Sequence, residues 1–164
     1  MSTTARANNK PADRLRLDRF VPYRLSVLSN IVSMSIAHAY EREFGLTIPE
    51  WRVLAVLARY PNLSAIEVAE RTAMDKVAVS RAVQSLLAAR RLIRAYDKGD
   101  RRRSILRLSS SGRAVYTRVA PLALGYERKL LNALSASERR SLDRLIEILM
   151  DRARHLDHFD GDNL

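Results

Sequence analysis

The sequence predicts a mainly α-helical chain with one small β-hairpin, and three observations carry that prediction. Apolar residues recur at helical spacing over most of the length. Serine or threonine followed three residues later by glutamate stands at the head of several of those stretches. In one segment alone, residues 92–108, the period shortens to that of strands around a polar turn containing Gly99. At 164 residues the chain can bury one respectable core, so one folding unit is expected.

The first helix is expected from Arg19 to Phe44, where Val21, Leu25, Leu28, Val32, Ile36 and Tyr40 form one apolar stripe and Gly45 supplies the stop. Thr47 and Glu50 make a capping box for the second, with Pro49 harmless in its first turn and Trp51, Leu54 and Leu57 inward. Pro61-Asn62 ends that helix. Ser64 and Glu67 cap a short third helix with Val68 and Ala69 inward; Ala73-Met74 is a tight break, and Asp75 caps a fourth helix running to about Ala89. Val79, Val83 and Leu86 form its buried stripe. Leu92–Tyr96 and Ser104–Leu108 are the two strands. A helix from Ser109–Gly112 to about Ala133 follows, which Pro121 is expected to kink rather than end. Ser135 and Glu138 cap the last helix, striped by Leu142, Leu145, Leu149 and Leu156.

The short helix, tight break and second helix over Ser64–Ala89 have helix-turn-helix form, and the hairpin stands where a wing would. The expected organisation is a flexible arm over 1–18, helical dimerisation segments over 19–46 and 110–156, a winged helix-turn-helix lobe over 47–109, and an acidic tail over 157–164. The arm is polar and lacks the apolar core of a secretory signal. No apolar run approaches the roughly 18 residues of a membrane-spanning helix.

Charge points to the partner. Lys and Arg total 29 against 18 Asp and Glu, a net +11 that favours a polyanion. Most of those cations are arginine, whose planar fork suits phosphates and guanine edges. An Arg-rich codon bias would explain that preference but not the net excess. A helix-turn-helix places its second helix in the major groove. With Val79, Val83 and Leu86 inward, Lys76, Val77, Ala78, Ser80, Arg81 and Gln84 lie on or near the outer face. Arg81 suits guanine or a phosphate, Gln84 adenine, and Val77 or Ala78 thymine methyls. Arg101, Arg102 and Arg103 cluster at the hairpin tip, backed by Arg90, Arg91, Arg94, Lys98 and Arg107. A solvated charge run is the ordinary reading of such a cluster. Like charges on one small turn repel, however, and a narrow arginine-bearing tip fits a minor groove. Helix pair and basic tip together favour a reader of double-stranded DNA.

Two segments carry a family resemblance: IPEWRVLAVLARYPNLSAIEVAERTAMDKVAVSRAVQSL at 48–86 and YDKGDRRRSILRLSSSGRAVY at 96–116. With them, the chain from about 20 to 156 resembles the MarR family of winged helix-turn-helix regulators. The wing pattern of Asp97, Asp100, Arg101 and Arg102, followed by a strand, Leu-Ser and Gly, is the more specific part. The resemblance implies a homodimer joined through its terminal helices, which reads an inverted-repeat operator. It implies a wing arginine, Arg102 or Arg101, oriented in the minor groove by Asp100, and places Ser80 and Arg81 where the family usually has Thr-Arg. Many relatives carry hydroxyl residues in place of Val77 and Ala78, and Gly where this chain has Arg90-Arg91. It further implies a repressor released by a small effector such as an aromatic acid, in a pocket lined here by Met34, His38, Trp51, Arg52 and Tyr116. On the residues alone, His38 reads more readily as an interface or core histidine, and Trp51 as core.

Other classes find less support. The chain has no cysteine, which excludes disulfides, thiolate metal sites and the peroxide-sensing branch of such regulators, and suits a reducing cytoplasm. No phosphate-cradling glycine loop, HExxH or nucleophile elbow marks an enzyme, and no cofactor or metal is expected. His155 and His158 have the spacing of a metal pair without an acidic partner, and read as polar tail. A non-sequence-specific architectural DNA protein is the stronger alternative. A membrane-surface protein is weaker, since the cations gather on a hairpin rather than along one helix.

Overall fold

A computed structural model describes residues 15–96 and 104–156. Helices α1 (Val21–Phe44), α2 (Ile48–Arg59), α3 (Ala65–Thr72) and α4 (Lys76–Ala88) precede strands β1 (Leu92–Tyr96) and β2 (Ser104–Leu108). Helices α5 (Ser110–Leu131) and α6 (Ala136–His155) follow. Among the described residues no helix is long and apolar enough to cross a membrane.

Local chemistry sets the boundaries. The three capping boxes form at Thr47–Glu50, Ser64–Glu67 and Ser135–Glu138, each hydroxyl accepting from the N3 amide while the glutamate accepts from the cap's own amide. Asp75 caps α4 by accepting from the amides of Val77 at 2.8 Å and Ala78 at 3.1 Å. Gly45 takes the left-handed conformation (φ 58°) that closes α1, its amide donating to the Glu41 carbonyl. Pro121 sits inside α5, which continues through it. Its missing amide deprives only the carbonyl of Thr117; both residues are exposed, so water can satisfy that group.

The strands pair antiparallel from Leu92↔Leu108 to Tyr96↔Ser104. A third contributor was not read from the sequence. Leu63, in the α2–α3 connection, bridges to Leu106, whose amide donates to the Leu63 carbonyl at 2.7 Å while Asn62 donates to the Leu106 carbonyl at 3.0 Å. One bridging residue has too little sequence to show a strand period.

The core lies in the middle of the chain. Val53, Leu54 and Leu57 of α2 pack with Val68 of α3, Val79, Val83 and Leu86 of α4, and Leu92, Leu106 and Leu108 of the strands. Tyr40 at the end of α1, Leu46 and Val119 of α5 close it. Trp51, expected on the buried face of α2, is half-buried, and Val53 takes the deeper position. The α1 stripe is buried only at Tyr40, with Val32 and Ile36 half-buried and Val21, Leu25 and Leu28 about half exposed.

Candidate nucleic-acid interface

Helix α4 has two faces of opposite character. Val79, Ala82, Val83 and Leu86 are buried, while Lys76, Val77, Ser80, Arg81 and Gln84 are exposed and Ala78 is half-buried. Spacing alone assigned the two sides, because a 3.6-residue period leaves no other way to bury that stripe. The turn before it rests on Ala73, a residue with positive φ (50°), whose amide donates to the Glu70 carbonyl. Only residues 73–75 separate α3 from α4, so the two helices meet at a short corner.

Arg81 shares a groove of about 370 Å³ with Thr47, Pro49, Glu50, Ala78, Ala82 and Ser85, so the outer face of α4 adjoins the first turn of α2. Glu50 is the buried acid of this region, 7% exposed. Its Oε2 accepts from the Thr47 amide at 2.7 Å and the Thr47 hydroxyl at 2.9 Å. Burial pushes its carboxyl up, but the Ser85 hydroxyl, these two Thr47 donors and the Arg91 charge outweigh that and hold it below the usual carboxylate range.

The junction of α4, β1 and α5 explains the Leu-Ser-x-x-Gly pattern after the second strand. The Ser109 hydroxyl donates to the Arg90 carbonyl at 2.7 Å and accepts from the Gly112 amide at 3.0 Å, so one side chain caps α5 and ties it to the α4–β1 turn. A Cβ on Gly112 would stand 1.9 Å from the Arg91 carbonyl oxygen, and only glycine fits there. Arg90 takes the left-handed conformation itself (φ 55°), so the strain of this turn is borne by an arginine. Arg91 donates from its guanidinium to the Phe44 carbonyl at 2.6 Å, joining this junction to the end of α1.

The strands carry Arg94 and Arg107 outward, both exposed. Asp97, Lys98, Asp100, Arg101, Arg102 and Arg103, the expected wing tip, lie outside the described residues. The tail residue His158 does too, and His155 is exposed, its Nδ1 2.8 Å from the Asp151 carbonyl. Among the described residues no group of three or more His, Cys, Asp or Glu is placed to hold a metal ion.

The five expected effector-pocket residues divide. Met34 and His38 line a cavity of about 300 Å³ between α1 and the start of α2, together with Ala37, Glu41, Leu46, Thr47, Ile48 and Pro49. Trp51 and Tyr116 do not line it. Their rings stack on one another with centroids 5.8 Å apart, and Tyr40 packs against Trp51 at the same separation. Arg52 donates to the Ser33 hydroxyl at 3.0 Å. Burial pushes the Tyr40 phenol up to about 12, against the lowering effect of Arg52 and with a smaller upward contribution from Glu41. The burial of Glu50 was not read from the sequence, where a glutamate three residues after a threonine reads only as a cap.

The family model described as MarR family matches residues 44–103. Over 105 residues the chain is 28% identical to the HTH-type transcriptional repressor Rv2887 of Mycobacterium tuberculosis, covering 64% of this chain and 76% of that protein. The crystal structure of a MarR/EmrR family transcriptional regulator from Acinetobacter sp. ADP1 superposes with a TM-score of 0.79 at 25% identity, covering 86% of this chain and 99% of that one. The PcaV transcriptional regulator of Streptomyces coelicolor, solved in complex with its natural ligand, gives a TM-score of 0.71 at 25% identity over 85% of this chain and 97% of that one.

Proposed function

We propose that the chain is a transcription regulator of the MarR family, whose model its residues 44–103 match, and that it binds double-stranded DNA sequence-specifically as a homodimer and represses transcription until a small effector releases it. The observation that supports this most is the two-faced helix α4. Its buried stripe fixes its rotation, and the opposite face presents Lys76, Ser80, Arg81 and Gln84 beside Val77 and Ala78. In this reading Arg81 and Gln84 contact base edges, Val77 and Ala78 meet thymine methyls, and Ser80 and Lys76 hold phosphates. Arg102 or Arg101, oriented by Asp100 and with Arg103 beside them, enters the minor groove.

The apolar stripes of α1 and α6 form the dimer interface. They border one groove, lined by Val21, Leu25 and Leu28 from α1 and Leu142, Leu145, Ile146 and Leu149 from α6. Two copies so joined present two recognition helices to half-sites about one helical turn apart on an inverted repeat. The effector, of the aromatic-acid class that the resemblance implies, enters the cavity beside Met34 and His38. Trp51, Arg52 and Tyr116 then act as its packed backing rather than its wall.

Selection from a pool of random duplexes at near-physiological salt, with competitor DNA and sequencing, tests this function. Recovery of one inverted repeat, bound at least ~10³-fold more tightly than random duplex, is expected. Recovery of no motif, with binding that fades smoothly as salt rises, would make the protein an architectural DNA binder instead.

A further inference from the structure

Resting on the homodimer reading above, the charges along the terminal helices bear on how two copies find one register. Two grooves run beside α6. The larger, of about 630 Å³, is walled by Val21, Leu25 and Leu28 of α1, and among the described residues the charged group bordering it is Arg24. The other, of about 440 Å³, lies between Val32 and Ile36 of α1 and Leu130 of α5. The charged groups bordering this one are Glu127 of α5 and Asp143 of α6. Leu142 and Ile146 line both, so the two grooves make one apolar strip. Arg24 precedes Val32 by about 12 Å along α1. The strip therefore has a positive end and a negative end.

Within one copy these charges are unpartnered. Arg24, Glu127 and Asp143 are all exposed, and among the described residues none of them takes part in an ion pair or a side-chain hydrogen bond. Helix α6, which carries one wall of the strip, buries no residue. Burial of apolar area favours many alignments of two such strips and selects none of them. Charge does select. Two copies that each carry a net +11 repel one another, and like charges brought together as an interface loses water cost more than an exposed pair gains. In a two-fold dimer every contact occurs twice, and an axis crossing the strip lays the positive end of one copy on the negative end of the other. A parallel or slipped alignment sets like ends together or dries a charge without a partner.

We propose that Arg24 of each copy pairs with Glu127 and Asp143 of the partner subunit, and that this reciprocal exchange fixes the register and orientation of the homodimer. The apolar strip supplies the affinity; the three charges choose the alignment in which it is buried.

The test uses the full chain as wild type, as Arg24→Glu, and as a variant carrying Glu127→Arg and Asp143→Arg, with folding followed by circular dichroism. Dimer dissociation constants are measured by sedimentation across a salt series. Each variant alone meets like charge at both exchanges, and its dissociation constant at low salt is expected to rise by ~10-fold or more. That gap to wild type should close as salt rises, because the effect is one of charge. Mixed in equal amounts, the two variants should form heterodimers in preference to either homodimer, since both exchanges then unite opposite charges. Unchanged dissociation constants in the folded variants overturn the pairing. A mixture that pairs at random overturns it too, because lost packing is not restored by the reciprocal change. If either charge-reversed variant does not fold, Arg24→Gln and Asp143→Asn decide: both should weaken the dimer by a smaller factor, and wild-type constants in both would contradict the pairing. A monomeric wild type removes the dimer reading and the pairing together, a pattern distinct from a stable wild-type dimer with unaltered variants.

Discussion

The segment from α2 to β2 and the two terminal helices α1 and α6 are built from similar amino acids to opposite effect. In the first, Leu54, Leu57, Val68, Val79, Leu86 and Leu106 are all at most 1% exposed, and the apolar faces close on one another within the chain. In the second, α6 buries no residue at all, and Leu25, Leu145 and Leu149 remain about half exposed. Isolated exposed leucines are ordinary, but two facing stripes along a pair of long helices are not. The central segment buries its apolar faces within one copy, with Tyr40 of α1 and Val119 of α5 closing the core, whereas the stripes along α1 and α6 stay largely exposed. That contrast fits the proposed dimer, in which each copy would carry a reading head and the frame would be completed by a second copy.

This comparison can be broken at several points. The largest effect is expected at Gly112, where the α5 backbone meets the α4–β1 turn. Gly112→Ala sets a methyl against the Arg91 carbonyl and should cost ~3 kcal/mol in chemical denaturation. A cost below ~1 kcal/mol would show that the junction is looser than the geometry indicates. Next comes the frame. Leu149→Glu places a charge on an apolar stripe that is exposed in the single chain. It should raise the dimer dissociation constant by ~100-fold, equivalent to ~3 kcal/mol, while leaving helical content unchanged in circular dichroism. A variant that stays dimeric would move the interface elsewhere.

Acid sensitivity is a smaller effect. The Glu50 carboxyl is held below its ordinary 4.5 in the folded chain. Its contribution is therefore fully present above that pH and is lost as pH falls toward the lower folded value. Glu50→Gln should flatten the acid limb of a stability–pH curve below about pH 4.5. An identical limb in wild type and variant would remove Glu50 from the account of acid stability. The smallest effect is expected at Arg90, whose φ of 55° strains any residue but glycine. Arg90→Gly should change stability by no more than ~1 kcal/mol and in the favourable direction, because relief of strain is partly offset by the greater freedom of glycine in the unfolded chain. A clear loss would mean that the Arg90 side chain contributes more than its backbone costs.

Much of the central segment was legible because its signals are local. Capping boxes at Thr47 and Ser64, the Asp75 cap and the stripe of Val79, Val83 and Leu86 each act within one or two turns, and the observed helices begin where those residues place them. The strand limits followed from alternation around a glycine-containing turn. What depended on distant partners was not legible. The bridge of Leu63 to Leu106 spans 43 positions, and Arg91 reaches the Phe44 carbonyl across 47. The stacking of Trp51 on Tyr116 is equally remote, and it separates two residues expected in a pocket from the two, Met34 and His38, that line one. Burial of Glu50 belongs with these, since it arises from what α4 brings over the cap and not from the cap itself.

In the proposed dimer, each copy carries one reading head and half of the frame that joins it to the other. Sedimentation analysis of the full chain with a duplex bearing the selected site tests it most directly. Two chains per inverted repeat are expected for wild type, with Leu149→Glu reaching that stoichiometry only at much higher protein concentration. A single chain per duplex, or a continuous series of larger complexes that grows with DNA length, would contradict it.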